Sequence, residues 1–441
     1  MSDSVAPTAS EAGSEAEPAF VQVVAELAVK REVKTSQAIY NAQGIKLLEG
    51  GVTIDQSLYD KLVTHRLSAP LDECIDPGPA VDAMALESAA RAAIARWPFF
   101  ARVAPEGAAG KALLDAVAAT RLAKPVGLHL TLARETRPAL FDHGILMALL
   151  CAHLVRESGG AKVDVREAAA AGLLHDLGML HIQPGLLDSE ERLSGDELRP
   201  VYAHPLTSSM LVDRFAEYSK EIVRAIVEHH ERLDGSGYPR GLAGDAISPL
   251  GRVLALAEVV TAMFDGARRL PEQRVSLLLR INPRRYDAGH VAAIHRLLAV
   301  AAETGDDAGG GAALVDRLLQ LTDVLALWRA SSEAIGRGLD GARAELVASV
   351  DAQNATLQRM LYDAGVTREQ LAAIAADVDA DAALRNELWA VAEELLWQLH
   401  AAANQLKRRW RAADAGAAHP GELSAWFAAV AGLDRTDAVA S

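Results

Sequence analysis

Cysteine is nearly absent: Cys74 and Cys151 are the two in 441 residues, too few and too far apart for a disulfide framework, so a reducing compartment is expected. Aromatic residues are scarce at 5%, while 50% of the chain is hydrophobic and alanine supplies much of that share. Helices packed through small side chains suit such a composition, and a mainly α protein is expected. Positive charge is in deficit. Lys and Arg number 44 against 59 Asp and Glu, and the net charge of -15 opposes binding to DNA and to anionic membranes. No run of membrane-spanning length is free of charge or histidine, and the N-terminus is acidic and small where a signal peptide would be basic and then apolar. A cytoplasmic protein with no membrane segment is the expectation. Its length exceeds what one hydrophobic core supports, which points to two or three domains.

Composition suggests where the chain divides. Residues 1–19 are rich in Ser, Ala and Glu and read as a disordered tail. Residues 20–80 hold short apolar runs, Ala38-Ile39-Tyr40, Lys46-Leu47-Leu48 and Gly51-Val52-Thr53-Ile54, between turn signals. They predict a small α/β module that packs on the main domain or senses a ligand. Residues 81–110 read as a helical linker and 111–303 as a helical bundle. A glycine-rich linker is predicted at 304–312, since glycine gives conformational freedom and nothing to pack. In residues 313–435, Leu314, Leu318, Leu321, Leu325 and Trp328 recur at intervals of three and four, as do Leu384, Leu388, Val391, Leu395 and Leu399. That periodicity predicts a C-terminal helical bundle or arm, with homodimerisation as one use for it.

Histidine, by contrast, is concentrated. Seven of the 13 fall between residues 143 and 230, beside carboxylates or glycine turns. Imidazole and carboxylate together form the donor set for two borderline metal ions sharing a water, which takes about six or seven such ligands. His175 and Asp176 are predicted to extend the helical run 170–174, with side chains roughly 100° apart, and Asp176 is the natural bridge. His204 precedes Pro205 near the start of another helical pattern, and His229-His230 close a helix over 222–227. Taken singly, His143, His153 and His181 read as core histidines.

The string His229-His230-Glu231-x-x-Asp234-Gly235-x-Gly237-Tyr238-Pro239 fixes eight positions, too many for chance. With Leu173-Leu174-His175-Asp176-Leu177-Gly178 it resembles the HD-GYP family of bacterial signalling phosphodiesterases, within the HD phosphohydrolase superfamily. The resemblance spans about residues 135–295 and implies a helical HD-GYP bundle that hydrolyses cyclic di-GMP to linear pGpG or GMP. Position by position it implies His143, His175, Asp176, His204, His229, His230 and Glu258 as ligands of a dinuclear iron or manganese site, with His175 and Asp176 as the catalytic doublet. It further implies Gly237, Tyr238, Pro239 and Arg268 at the substrate, and Glu231 and Asp234 in support. A diguanylate cyclase or another signalling protein would dock on the loop around Tyr238. Three positions depart from the family: Glu258 stands where Asp is usual, Met179 where Lys is usual, and Ala139 where trinuclear members carry Glu. The last favours two metals over three. The first two leave open a second reading, a catalytically degenerate module that binds metal or nucleotide as a signalling scaffold.

Overall fold

The computed structural model describes residues 9–54, 58, 62–159, 162–183, 186, 198–264, 271–282, 284–298, 311–337, 339, 341–363, 382–413 and 421–433. Residues 1–8, Arg268 and residues 304–310 of the expected glycine linker lie outside the described residues. The chain forms two compact units, one of residues 3–267 with 284–299, the other of residues 268–283 with 300–441.

The first unit begins with α1 (Ala9–Lys30). Its helix reaches back into the segment expected to be disordered up to residue 19. Phe20, Val21, Val23, Val24 and Leu27 are buried, and alanine and glutamate upstream are good helix formers that extend a helix anchored in this way. Next come β1 (Lys34–Thr35), β2 (Ile39–Tyr40), β3 (Lys46–Leu48) and β4 (Ile75–Asp76). β1 pairs antiparallel with β4, and β2 with β3. The apolar run 51–54 contributes one bridge, Thr53 to Lys34, in place of a strand.

Residues 81–110 are core, not linker. Asp82 caps α2 (Ala83–Arg96) by accepting from the Ala85 amide, and α3 (Pro98–Val103) buries Phe99 and Phe100 completely. The Phe264 ring lies 5.0 Å from Phe99 and 5.4 Å from Phe100, a contact between residues far apart in sequence. Around it stand α4 (Ala108–Ala118), α5 (Lys124–Thr136), α6 (Pro138–Glu157), α7 (Lys162–Leu174), α8 (Leu198–Asp213), α9 (Lys220–Glu228) and α10 (Pro249–Thr261). Among the described residues α6 alone is long and apolar enough to cross a membrane, with a mean hydropathy of 1.6, and 67% of that stretch is buried within the protein. It packs on α7 and α10 as a core helix.

After α10 the chain leaves for α11 (Pro271–Ile281), which belongs to the second unit, and returns for α12 (Ala288–Leu297). The boundary expected at residue 303 therefore differs from the observed division. The second unit holds α13 (Gly311–Gly336), α14 (Gly341–Asp363), α15 (Ala382–Ala413) and α16 (Gly421–Gly432). Leu314, Leu318, Leu321, Leu325 and Trp328 all enter its core, as do Leu388, Val391, Leu395 and Leu399, while the Leu384 side chain lies outside the described residues. Trp328 meets Trp426 at 4.6 Å and donates its indole N–H to Asp351. Both units are helical, as the composition predicted.

Candidate metal centre

Three histidines are presented by one local device. The Nδ1 atoms of His175, His204 and His229 each face the carbonyl three residues earlier: Gly172 at 2.8 Å, Val201, and Ile226 at 2.6 Å. A carbonyl only accepts, so Nδ1 carries a proton in each and Nε2 is the nitrogen that faces inward. α7 ends at Leu174, and His175 and Asp176 stand in the following turn, not on the helix as the sequence suggested.

The Nε2 atoms converge on Asp176. Its Oδ1 lies 3.0 Å from His204 Nε2 and 3.5 Å from His229 Nε2. Its Oδ2 lies 3.3 Å from His175 Nε2 and 3.9 Å from His143 Nε2. Glu258, from α10, places Oε2 3.0 Å from His143 Nε2 and 3.2 Å from His175 Nε2. The donor atoms thus form two groups, Asp176 with His204, His229 and His230, and His143 with His175 and Glu258, each within 4.8 Å. Asp176 turns one oxygen toward each.

Close backbone approach holds this arrangement. After Asp176 a 3-10 turn, Leu177–His181, lies against α8, where the Gly178 amide donates to Ser208 Oγ at 2.8 Å. A Cβ at Gly178 would stand 2.5 Å from the His204 carbonyl oxygen. On the opposite side the Tyr238 amide donates to the His230 carbonyl, and a Cβ at Gly237 would stand 2.4 Å from the Glu231 Cα. Only glycine fits either position. The Tyr238 ring lies over His230 at 4.5 Å and 20°, with Tyr202 edge-on to it at 4.8 Å. Pro239 follows through a cis peptide.

Glu231 and Asp234 fall in neither donor group. Buried Glu231 accepts from the Arg240 amide at 2.7 Å and the Leu242 amide at 2.9 Å, closing the loop on itself. Asp234 accepts from the Ser236 amide and pairs with Arg285 at 3.3 Å. Arg268 lies outside the described residues. Sequence reasoning passed over Glu228, a fully buried carboxylate that accepts from the Ser248 amide at 2.8 Å and pairs with Arg224 at 2.7 Å. It ties the end of α9, and so His229, to the start of α10 and Glu258. Its position directly before His229-His230 was the available signal; Ser208 and Tyr202 carried none.

Burial opposes charge on Asp176, but the imidazoles of His175 and His204 outweigh it and hold this carboxyl well below its usual range. Glu258 is likewise lowered against its burial by His143 and His175. For His175 burial is overcome by Asp176 and Glu258, which raise it to about 10. Burial pushes His229 down to about 4 and, with His229 beside it, lowers His230 well below its ordinary value. It also raises Tyr238.

Two ionised carboxylates in a largely buried site call for positive charge. Two further observations fit a metal. The buried atoms His175 Nε2 and Asp176 Oδ1 make no hydrogen bond of acceptable geometry. His204 and His229 aim Nε2 at Nε2 across 3.1 Å, and with protons on both Nδ1 atoms those lone pairs repel unless a cation lies between them. The residues present therefore suit a metal held by imidazole and carboxylate.

Residues 128–289 match the family model described as an HD domain, a span that contains every member of the two donor groups. A cyclic di-GMP phosphodiesterase of Pseudomonas aeruginosa is 32% identical over 152 residues, 34% of this chain and 37% of that protein. A 3'3'-cGAMP-specific phosphodiesterase of Vibrio cholerae is 37% identical over 124 residues, 28% of each. A cyclic di-GMP phosphodiesterase response regulator of Xanthomonas campestris is 35% identical over 144 residues, 30% of this chain and 37% of that protein. The chain thus spans about a third of the length of the curated relatives it matches. Motif, donor geometry and relatives agree: the segment of residues 128–289 matches an HD domain and is similar to the corresponding segments of these cyclic dinucleotide phosphodiesterases.

Proposed function

We propose that the protein is a phosphodiesterase that opens cyclic di-GMP to linear pGpG or GMP in bacterial signalling, using a dinuclear iron or manganese site. The observation that carries the reading is the placement of Asp176, whose two oxygens each face a separate group of donors. In this reading His143, His175 and Glu258 would hold one ion, and His204, His229 and His230 the other, with Asp176 between them. When bound, the metal supplies Lewis acidity toward water and toward a phosphoryl oxygen.

The remaining work belongs to the chain. Bonds from Nδ1 to backbone carbonyls fix which imidazole nitrogen faces inward. Asp176 and Glu258 are held ionised beside their histidines and so would offer charged oxygens to a cation. Tyr238 packs over His230 and shields that flank, while the loop of Gly237 and Pro239 offers close backbone and a flat ring to a nucleotide. Arg268 is proposed to meet a phosphate, and Glu231 and Asp234 to brace the loop.

The names of relatives from Pseudomonas and Xanthomonas favour cyclic di-GMP, and those from Vibrio keep 3'3'-cGAMP in the same substrate class. A diguanylate cyclase or similar partner at the Tyr238 loop, and a homodimer through the C-terminal helices, belong to the proposal. One observation supports the scaffold alternative: Met179, half-buried two residues after Leu177, supplies no charge where the family usually has Lys. The test is hydrolysis of cyclic di-GMP and 3'3'-cGAMP by protein loaded anaerobically with iron or manganese, beside Asp176→Ala. Turnover that disappears in the variant supports the enzyme. A folded, metal-loaded protein that turns over neither nucleotide favours the scaffold.

A further inference from the structure

We propose that the N-terminal module is a working part of the metal centre, because Phe20 and the imidazole pair His129–His181 position the turn that carries Asp176. The inference rests on the reading of His175 and Asp176 as metal ligands. His181 is the last residue of the 3-10 turn that begins directly after Asp176. Its Nε2 lies 3.1 Å from Nε2 of His129, a fully buried residue of α5. His129 Nδ1 faces the Pro125 carbonyl at 2.8 Å, so its proton sits on Nδ1 and its Nε2 accepts. The donor is therefore His181 Nε2–H. Phe20 of α1 lies nearly parallel to both rings, with centroids 4.7 Å from each at 20° and 7°. α1 thereby fixes where the His181 end of the turn can sit, while Ser208 fixes the Gly178 end.

A second contact from the module grips the other wall of that turn. Asp72, 4% exposed, accepts from Arg214 Nη1 at 2.8 Å and Nη2 at 3.1 Å, and Glu73 pairs with the same guanidinium. Arg214 directly follows α8, the helix of His204 and Ser208. Asp72 Oδ2 also lies 3.9 Å from His129 Nδ1. Module, imidazole pair and α8 are thus joined by polar contacts that tolerate little displacement, because buried polar groups are costly once their partners move. A module that merely covered apolar surface would need none of them. His181 and His129 touch no metal in this arrangement and act through the turn, as positioning residues.

The experiment is titration of the metal-depleted, full-length protein with Mn2+ by calorimetry, with circular dichroism as the check on folding. Phe20→Leu keeps bulk but loses the flat face, and His181→Ala loses the donor. Each is expected to weaken Mn2+ binding by about tenfold or more, the loss typical of residues that orient ligands. His181→Gln, whose amide N–H can still reach His129, is expected to recover most of the affinity lost in His181→Ala. Wild-type affinity in both Phe20→Leu and His181→Ala overturns the inference, as does a loss in His181→Gln equal to that in His181→Ala. Should Phe20→Leu fail to fold, the two variants at half-buried His181 decide. A folded wild type that binds no Mn2+ would instead remove the metal reading on which the inference stands.

Discussion

The Glu258 carboxylate stands 3.0 Å from the imidazole Nε2 of His143, reaching from α10 to α6. The methylene it has beyond aspartate is what spans that gap. Glu258→Asp would draw the oxygens back by roughly 1.5 Å, one carbon–carbon bond. Although aspartate is the family's usual residue, this change is expected to weaken metal binding by about 10- to 100-fold. Calorimetric titration with Mn2+ checks it; unchanged affinity would mean that α10 can close the distance.

Gly178→Ala places a methyl group 2.5 Å from the His204 carbonyl and 2.8 Å from the Ser208 amide, backbone atoms that cannot swing aside. The expected loss of stability is about 1–3 kcal/mol, the usual cost of overpacking. Urea denaturation of the metal-free protein reads it directly. Metal affinity should fall as well, since the turn that moves is the one Asp176 begins.

Metal should stabilise the first unit alone. Both donor groups lie in it, and the described residues of the second unit hold no comparable group. At a metal concentration 100 times Kd the gain is about 2.7 kcal/mol. Differential scanning calorimetry with and without Mn2+ should show one transition moving up and the other staying; equal shifts in both would contradict the assignment.

Low pH should destabilise the first unit in a way that His153 makes visible. Burial lowers both His129 and His153 from the ordinary histidine value of 6.5. Below pH 6.5 the unfolded chain takes up protons that the folded one does not. Their contribution is therefore complete above pH 6.5 and declines as pH falls below it toward the depressed folded values. His153→Asn keeps a donor for the Val103 carbonyl, which His153 Nδ1 meets at 2.9 Å, and removes one titrating group. Its urea midpoint should fall less steeply than the wild type's below pH 6.5. Parallel pH profiles would count against the argument.

The site was legible where chemistry fixes residue type at short range. His175-Asp176 and the string from His229 to Pro239 could be read because metal ligands and close-approach glycines admit few substitutes. The division of labour between the two oxygens of Asp176 could not, since it depends on α6, α8 and α10 meeting in space. Periodicity revealed the second unit's core through Leu314 to Trp328. Composition misled at residues 9–19, where the buried stripe from Phe20 to Leu27 anchors a helix that acidic, small residues then extend. It misled again at 81–110, because Phe99 and Phe100 find Phe264 only after folding. His181, taken alone, read as a core histidine; its neighbours Phe20 and His129 come from two other helices.

One feature of the backbone path bears on how such a protein can be inherited in pieces. α11 lies in the second unit although residues on both sides of it, up to 267 and from 284, lie in the first. Leu277 of α11 packs against the core that α13, α14, α15 and α16 share. A recombination event that exchanged everything after residue 300 would bring in a bundle made for a different α11 and strand the resident one beside it. The two units are therefore not separable cassettes, and lineages that trade C-terminal bundles must either carry residues 268–283 along or re-evolve that seam.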